Sequence, residues 1–113
     1  MRYAVILAAV LASTPAWAQP PTIPRYDPDR YCRQVQAATG FHSATVMRGC
    51  IESERDSLNL LRIRWPGLTD QVRDACDHQV RANDRRSYAA LQGCVETEEA
   101  TAAAMGRRLV SPL

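Results

Sequence analysis

The hydrophobic pattern is strongest in two stretches where apolar residues recur every three or four positions, which predicts two long amphipathic helices. In the first stretch the apolar positions are Met47, Cys50, Ile51, Leu58 and Leu61. In the second stretch they are Tyr88, Leu91, Cys94, Val95, Ala102 and Met105. Ser43 can cap the first helix, which should end near Arg64, and Gly106 is the predicted end of the second.

A shorter amphipathic segment precedes each long one, so the pattern predicts two αα-hairpins. The first short helix covers residues 31–38, follows a helix-start sequence at residues 27–29, and is broken by Gly40. The second has an apolar face formed by Leu68, Val72, Ala75, Cys76 and Val80, before a turn at Asn83 and Asp84. A Trp-Pro-Gly sequence at residues 65–67 separates the hairpins, because proline and glycine interrupt helices.

The two hairpins are related by an internal repeat with a shift of 44 residues. Seventeen residues lie between Cys32 and Cys50, and seventeen between Cys76 and Cys94. Residues 47–54 align with residues 91–98, including a Gly-Cys pair and two glutamates in each copy. Duplication of one unit accounts for this agreement, so we expect repeat units at 31–65 and 68–106.

The cysteine spacing predicts how the bridges form. Four cysteines allow three connectivities, and the symmetry of the repeat does not choose among them. Residues equidistant from the turn of an antiparallel hairpin lie opposite each other, and each cysteine pair is centred on its own turn. We therefore predict Cys32–Cys50 and Cys76–Cys94, each worth about 3 kcal/mol by loop-closure entropy.

The predicted fold is all-α: two disulfide-stapled αα-hairpins in a pseudo-two-fold repeat, forming a small four-helix arrangement. A proline-rich lead at residues 19–30 should be extended and mobile, and residues 107–113 should form a flexible tail. About 95 residues remain after residue 18, which is one domain. A domain this small needs staples, because it buries a limited fraction of its surface.

The first eighteen residues have the features of a secretory signal peptide. Arg2 supplies the positive start, residues 3–12 are apolar, and Ala16-Trp17-Ala18 is a small-x-small cleavage site. Polar residues end the apolar run well short of the roughly 20 residues that span a bilayer. We therefore expect a periplasmic or secreted protein with no membrane span in the mature chain, in a compartment where disulfides persist.

The repeated motif resembles two groups of secreted bacterial proteins. The Cys-x17-Cys unit, with Gly-Cys-[Ile/Val]-Glu-x-Glu and a Trp-Pro stop, resembles small secreted helical proteins with duplicated hairpins and no assigned activity; the resemblance covers residues 31–102. A second resemblance, to the periplasmic LprI-type lysozyme-inhibitor domain, rests on Cys50, Glu54, Leu58 and Asn59. That family places the Leu-Asn pair about one turn further from the cysteine, and the second hairpin here lacks it. The resemblance implies lysozyme inhibition as an alternative function.

Composition and spacing argue against several classes of function. All fourteen basic residues are arginine and the formal net charge is only +2, which lacks the basic stripe typical of nucleic-acid binding. The cysteines are too far apart in sequence for a structural zinc site and do not form the Cys-x-x-Cys motif of redox proteins. We predict no metal and no cofactor, and disulfides are favoured over zinc even with His78 near Cys76.

Several histidines and glutamates could take part in catalysis, but for each of them we favour an ordinary surface role. His42 and His78 lack a nucleophile with a supporting acid, so we expect them on the surface. Glu52 and Glu96 are equivalent in the repeat and could form an acid–base pair. Glu54 and Glu98 are equivalent too. Pairing with neighbours such as Arg48 and Arg55, or simple solvation, is the preferred interpretation for these glutamates.

Two further features leave packing and binding open. Gly49 and Gly93 precede the second cysteine of each unit, where glycine would permit close helix approach or form a shallow ligand notch; we favour close approach. Trp65, flanked by Arg62 and Arg64, would either cover the junction between the hairpins, which we favour, or act as a protein–protein anchor if exposed. Tyr88 is a second candidate anchor. We predict a non-enzymatic protein that binds another protein or an envelope component.

Overall fold

The computed structural model of the protein describes residues 3–4, 21–40 and 42–110, and describes residues 107–110 by their backbone alone. The described residues form four α-helices and no strand: α1 (Pro28–Thr39), α2 (Ala44–Arg64), α3 (Asp70–Ala82) and α4 (Tyr88–Val110). A single 3-10 turn, Trp65–Gly67, follows α2. The all-α prediction is confirmed. The signal peptide predicted at residues 1–18 lies almost entirely outside the described residues.

Side-chain caps place the starts of α1 and α2 where the sequence predicted them. Asp27 accepts a hydrogen bond from the Arg30 N–H with Pro28 in the first turn, and Ser43 caps α2. Thr69 does the same for α3. Gly40 ends α1 in the left-handed conformation, with φ of 74°, which glycine adopts without strain.

Both predicted disulfides are present and each joins the two helices of one hairpin. Cys32–Cys50 links α1 to α2 with a Cα separation of 5.8 Å, and Cys76–Cys94 links α3 to α4 at 5.6 Å. The four-cysteine connectivity predicted from locality is therefore confirmed. Formed bridges are typical of proteins outside the reducing cytoplasm.

The described part of the lead, residues 21–30, packs onto the fold, which corrects the prediction that this segment is mobile. Residues 21–27 lie outside any helix or strand, but the Tyr26 N–H donates to the Tyr88 hydroxyl at 2.9 Å, and that hydroxyl donates to the Pro24 carbonyl at 3.0 Å. The Trp65 indole N–H donates to the Thr22 carbonyl at 3.2 Å. The lead crosses from the end of α2 to the start of α4, so the folded domain begins before residue 31.

Tyr26 is the main anchor of the lead. Its ring is buried and lies 5.0 Å from the Tyr88 ring, between centroids, and its hydroxyl donates to Asp77 at 2.6 Å. Burial, and then the hydrogen bond to Asp77, raises the pKa of the Tyr26 phenol.

Replacing Tyr26 by phenylalanine should lower the free energy of unfolding by about 1 kcal/mol, because it removes one part-buried hydrogen bond and keeps the ring. The raised pKa also predicts that the wild type loses stability above about pH 10, where the phenol ionises in the unfolded chain before it does in the folded one. Urea denaturation at pH 7 and at pH 11, followed by Trp65 fluorescence, measures both effects. If the Tyr26→Phe variant lost as much free energy of unfolding between pH 7 and pH 11 as the wild type, Tyr26 would not be the cause of the pH dependence.

The hydrophobic core lies at the junction between the hairpins. Its buried members come from the lead, α2, the 3-10 turn, α3 and α4; they are Tyr26, Leu61, Trp65, Cys76, Val80, Tyr88, Leu91 and Val95. Helix α1 contributes only Cys32 to the buried set. Arg73 closes the junction by donating to the backbone carbonyls of Trp65 and Leu68. The first hairpin is thus held mainly through α2.

Helices α2 and α4 pack in parallel with a stagger. Glu54 contacts residues 87–89, and Arg64 contacts Glu96 and Glu99, so a residue of α2 lies level with one about 34 positions later. The sequence repeat has a shift of 44. The difference of about ten residues is an axial offset of about 15 Å. The two hairpins are therefore related by rotation with translation along the helices, whereas a pure two-fold rotation would set Cys50 level with Cys94.

Helix α4 continues to Val110, beyond the end predicted at Gly106. A single glycine weakens a helix without stopping it when its φ stays helical, and Gly106 has no positive φ. The start of the predicted flexible tail, residues 107–110, is thus helical, and residues 111–113 lie outside the described residues.

Candidate functional site

The centre of the hairpin junction is a buried carboxylate that the sequence analysis assigned to the surface. Glu54 is 1 % exposed. Its carboxylate accepts hydrogen bonds from the Ser87 hydroxyl, from the Tyr88 N–H at 2.7 Å and from the Ala89 N–H at 3.3 Å. Glu54 of the first hairpin therefore caps the first helix turn of α4 in the second.

The side chains of Glu54 and Ser87 together cap the first turn of α4. The Ser87 hydroxyl oxygen accepts from the Ala90 N–H at 3.3 Å, while Glu54 takes the two preceding amides. These groups have no intrahelical partner at a helix start, and a negative charge is favourable there. No buried side-chain nitrogen or oxygen among the described residues lacks a partner. The buried charge is thus satisfied, and it fixes the register between α2 and α4.

The prediction that Glu54 solvates its helix or pairs with arginine is wrong. The signal that could have located it is its position: Glu54 lies on the apolar stripe of α2, between Ile51 and Leu58 at helical spacing. Its equivalent in the repeat, Glu98, is exposed. The repeat therefore uses one glutamate as a cap and leaves the other at the surface.

The two aromatic residues proposed as partner anchors are core residues. Trp65 and Tyr88 are each 4 % exposed. Trp65 covers the junction between the hairpins, which is the packing alternative, and Tyr88 holds the lead through both hydrogen bonds of its hydroxyl. The exposed Arg-Trp edge required by the anchor hypothesis is absent from the described surface, because the lead lies against the indole.

The flanking arginines differ from each other. Arg62 is exposed on α2 and stays available to a partner. Arg64 reaches across to α4, where it forms an ion pair with Glu99 and lies 3.9 Å from Glu96. Half-exposed pairs of this kind add little stability. They do confirm the parallel direction of the two helices.

The carboxylates and histidines considered for catalysis lie at the surface and form no common site in the described residues. Glu52 and Glu96 are both exposed, and the stagger places them about 15 Å apart along the helix axis. His42 and His78 are exposed as well. Across the described ranges, no group of three His, Cys, Asp or Glu side chains is arranged to hold a metal ion.

The glycines beside the bridges are not sites of close helix approach, which corrects that prediction. A Cβ atom built on Gly49 or Gly93 would meet nothing within 4 Å outside its own helix backbone and chain neighbours. Both residues are exposed. Gly93 borders a shallow depression between α3 and α4 that Gln79 and Cys94 also line.

Substituting Gly49 or Gly93 by alanine should therefore raise the free energy of unfolding by about 0.5–1 kcal/mol each, because alanine has the higher helix propensity and the space is open. Urea denaturation of the two single variants and the double variant, followed by Trp65 fluorescence, measures this. The two gains should add, since the sites lie on different helices. A loss of stability at either site would show that a contact requires glycine there.

Two open depressions with apolar lining lie at opposite ends of the part of the chain that the structure describes. The first, which we call the groove, lies between the start of α3 and the second half of α4; it has a volume of about 670 Å³ and is lined by Leu68, Val72, Ala75, Glu98, Ala102 and Met105. The second, the α2 face, is lined by Ala44, Met47, Ile51 and neighbouring charged residues. Met105 is 61 % exposed. Exposed apolar faces rimmed by charge are typical of protein-binding surfaces.

Comparison of the chain with protein-family models, with curated proteins and with solved structures finds no match. No helix within the described residues combines the length and apolar composition needed to cross a membrane. The geometry of the molecule itself is therefore the basis for the functional argument.

Proposed function

We propose that this chain is an exported, non-enzymatic module, periplasmic or secreted, that binds another protein through its open helical faces. The observation that carries the proposal is that the groove and the α2 face are the repeat equivalents of the two surfaces that join the hairpins. The surfaces that join the hairpins form a helix–helix interface inside the molecule. Their repeat equivalents, the groove and the α2 face, have no partner helix, so binding to another protein is the function that suits them best.

Export is supported by the sequence of the first eighteen residues and by the two bridges. Arg2, the apolar run at 3–12 and the Ala16-Trp17-Ala18 site form a secretory leader. Disulfides Cys32–Cys50 and Cys76–Cys94 suit an oxidising compartment.

A pull-down from envelope extract tests the proposal. The bait is the chain from residue 19 onward, produced with both disulfides formed. We expect capture of a protein that is lost with Met105→Glu or Met47→Glu, because each substitution puts a charge on one open face. Ile63→Glu is the matched control, since Ile63 is 80 % exposed and belongs to neither face. Capture that is lost only with Ile63→Glu or Arg62→Ala would relocate the site, and no capture would contradict the proposal.

Lysozyme inhibition is the alternative, and it rests on the resemblance around Cys50. Three of the four residues that carry the resemblance serve the fold: Cys50 forms a disulfide, Glu54 caps α4 and Leu58 packs against the core. Only Asn59 is exposed. Lysis of a cell-wall suspension by lysozyme, with and without a large molar excess of the bridged chain, separates the two functions. Slower lysis that Asn59→Ala abolishes would favour inhibition. An unchanged rate of lysis would exclude lysozyme inhibition.

A further inference from the structure

The interface between the hairpins joins two different surfaces. One belongs to the second half of α2, with Glu54, Leu58 and Leu61; the other belongs to the first half of α4, with Tyr88, Leu91 and Val95. Because the hairpins are staggered, neither surface meets its own equivalent. Such an interface is heterologous, and it leaves one copy of each surface unused at the two ends of the pair.

The unused surfaces can be located from the 44-residue repeat. The equivalents of Glu54, Leu58 and Leu61 are Glu98, Ala102 and Met105, and these three line the groove. The equivalents of Tyr88, Leu91 and Val95 are Ala44, Met47 and Ile51, and these three line the α2 face. Each open surface thus keeps the apolar character of its partnered equivalent, and both coincide with surface depressions.

We propose that the groove of one copy binds the α2 face of a second copy of this chain, repeating the parallel, staggered packing of α2 on α4. This inference rests on the proposed function and names its partner. Applying the internal register, Met105 would lie level with Ile51 of the neighbouring copy, and Glu98 level with its Ala44. Because the contact is heterologous, successive copies form an open chain or a ring.

A second copy of the chain is the partner that best fits the groove, because each chain carries both the groove and the α2 face. The interface is continuous with the one that already joins the hairpins: adding a copy adds the next two repeats in the same direction. The groove also carries the acidic residue that such a contact uses. Glu98 is the repeat equivalent of Glu54, which caps a helix start inside the molecule. Within the described residues, the start of α2 has only the side-chain cap of its own Ser43.

The test uses complementation between two variants in sedimentation velocity runs. Wild-type chain from residue 19 onward should form species larger than a monomer as its concentration rises from about 1 µM to about 1 mM. Met47→Glu and Met105→Glu should each weaken association at least about 100-fold, because each carries one charged face. An equimolar mixture of the two should form a 1:1 dimer, since each variant keeps the face that the other has lost.

Two controls and one further variant accompany the runs. Ile63→Glu, at an exposed apolar position outside both faces, should associate like the wild type. Glu98→Gln should weaken association about 10-fold, which is about 1.4 kcal/mol, by removing the charge at the helix start. Circular dichroism should give all variants the helix content of the wild type.

A wild type that stays monomeric over the whole range overturns the inference. So does a mixture that fails to complement, or association that survives Met47→Glu or Met105→Glu alone. The envelope pull-down separates this failure from failure of the proposed function. A monomeric chain that captures a different protein through Met105 refutes only the self-association, whereas a monomeric chain that captures nothing refutes both.

Discussion

Replacing Glu54 by alanine is expected to lower the free energy of unfolding by about 3–4 kcal/mol, a large fraction of the stability of a small domain. The carboxylate accepts from the Ser87 hydroxyl and from the Tyr88 and Ala89 amides inside the junction. Its removal leaves buried donors without acceptors, at about 1–3 kcal/mol for an unsatisfied group, and opens a cavity. Urea denaturation followed by Trp65 fluorescence measures the loss.

Two variants make the Glu54 prediction specific. Glu54→Gln keeps the size of the side chain but turns one acceptor into a donor and removes the charge, so a loss of about 2 kcal/mol is expected. Glu52→Ala, two residues away on the exposed side of the same helix, should change stability by less than about 0.5 kcal/mol. Equal effects at Glu52 and Glu54 would mean that the carboxylate does not cap α4.

The second large effect is expected from removing the Cys76–Cys94 bridge. The Cys76→Ala/Cys94→Ala double variant should lose about 3 kcal/mol, because the bridge restricts a loop of about 19 residues in the unfolded chain. Cys76 is also part of the core, beside Val80 and Leu91. We expect global destabilisation, with the unfolding midpoint in urea lowered for both circular dichroism and Trp65 fluorescence.

The Cys32–Cys50 bridge provides the matched comparison, since it closes a loop of the same length. Helix α1 buries only Cys32, so its attachment depends on the bridge more than on packing. The Cys32→Ala/Cys50→Ala variant should release α1 locally while Trp65 stays buried. Hydrogen exchange should show lost protection for residues 28–39 and retained protection in α3 and α4. Uniform loss of protection would contradict the division of the fold into a core and a stapled helix.

Much of the scaffold is predictable from sequence because its signals are local. Helix starts at Asp27 and Ser43 follow from residues that cap helices, and the end of α2 near Arg64 follows from the Pro-Gly sequence after it. The bridge pairing follows from cysteines centred on each turn. Each of these inferences uses residues less than about twenty positions apart, so no long-range packing has to be known.

The arrangement of the hairpins depends on contacts between distant residues, which the periodicity does not report. The ten-residue stagger is set by Glu54 and Ser87, 33 positions apart. The ordered lead is set by contacts such as Tyr26 to Tyr88, 62 positions apart. The repeat suggested equal roles for Glu54 and Glu98, but only one of them meets a helix start. Sequence equivalence therefore predicts equal surfaces, and the stagger decides which are used.

The staggered, parallel packing of α2 on α4 is the central claim, and nuclear Overhauser contacts test it most directly. In the chain from residue 19 onward, labelled with ¹³C and ¹⁵N, we predict cross-peaks from the Tyr88 amide proton to the Glu54 side chain. We also predict cross-peaks between the methyl groups of Leu61 and Val95, which lie level with each other. Cross-peaks between the Ile51 and Val95 methyls of one chain, with none from Tyr88 to Glu54, would place equivalent residues side by side and contradict the account.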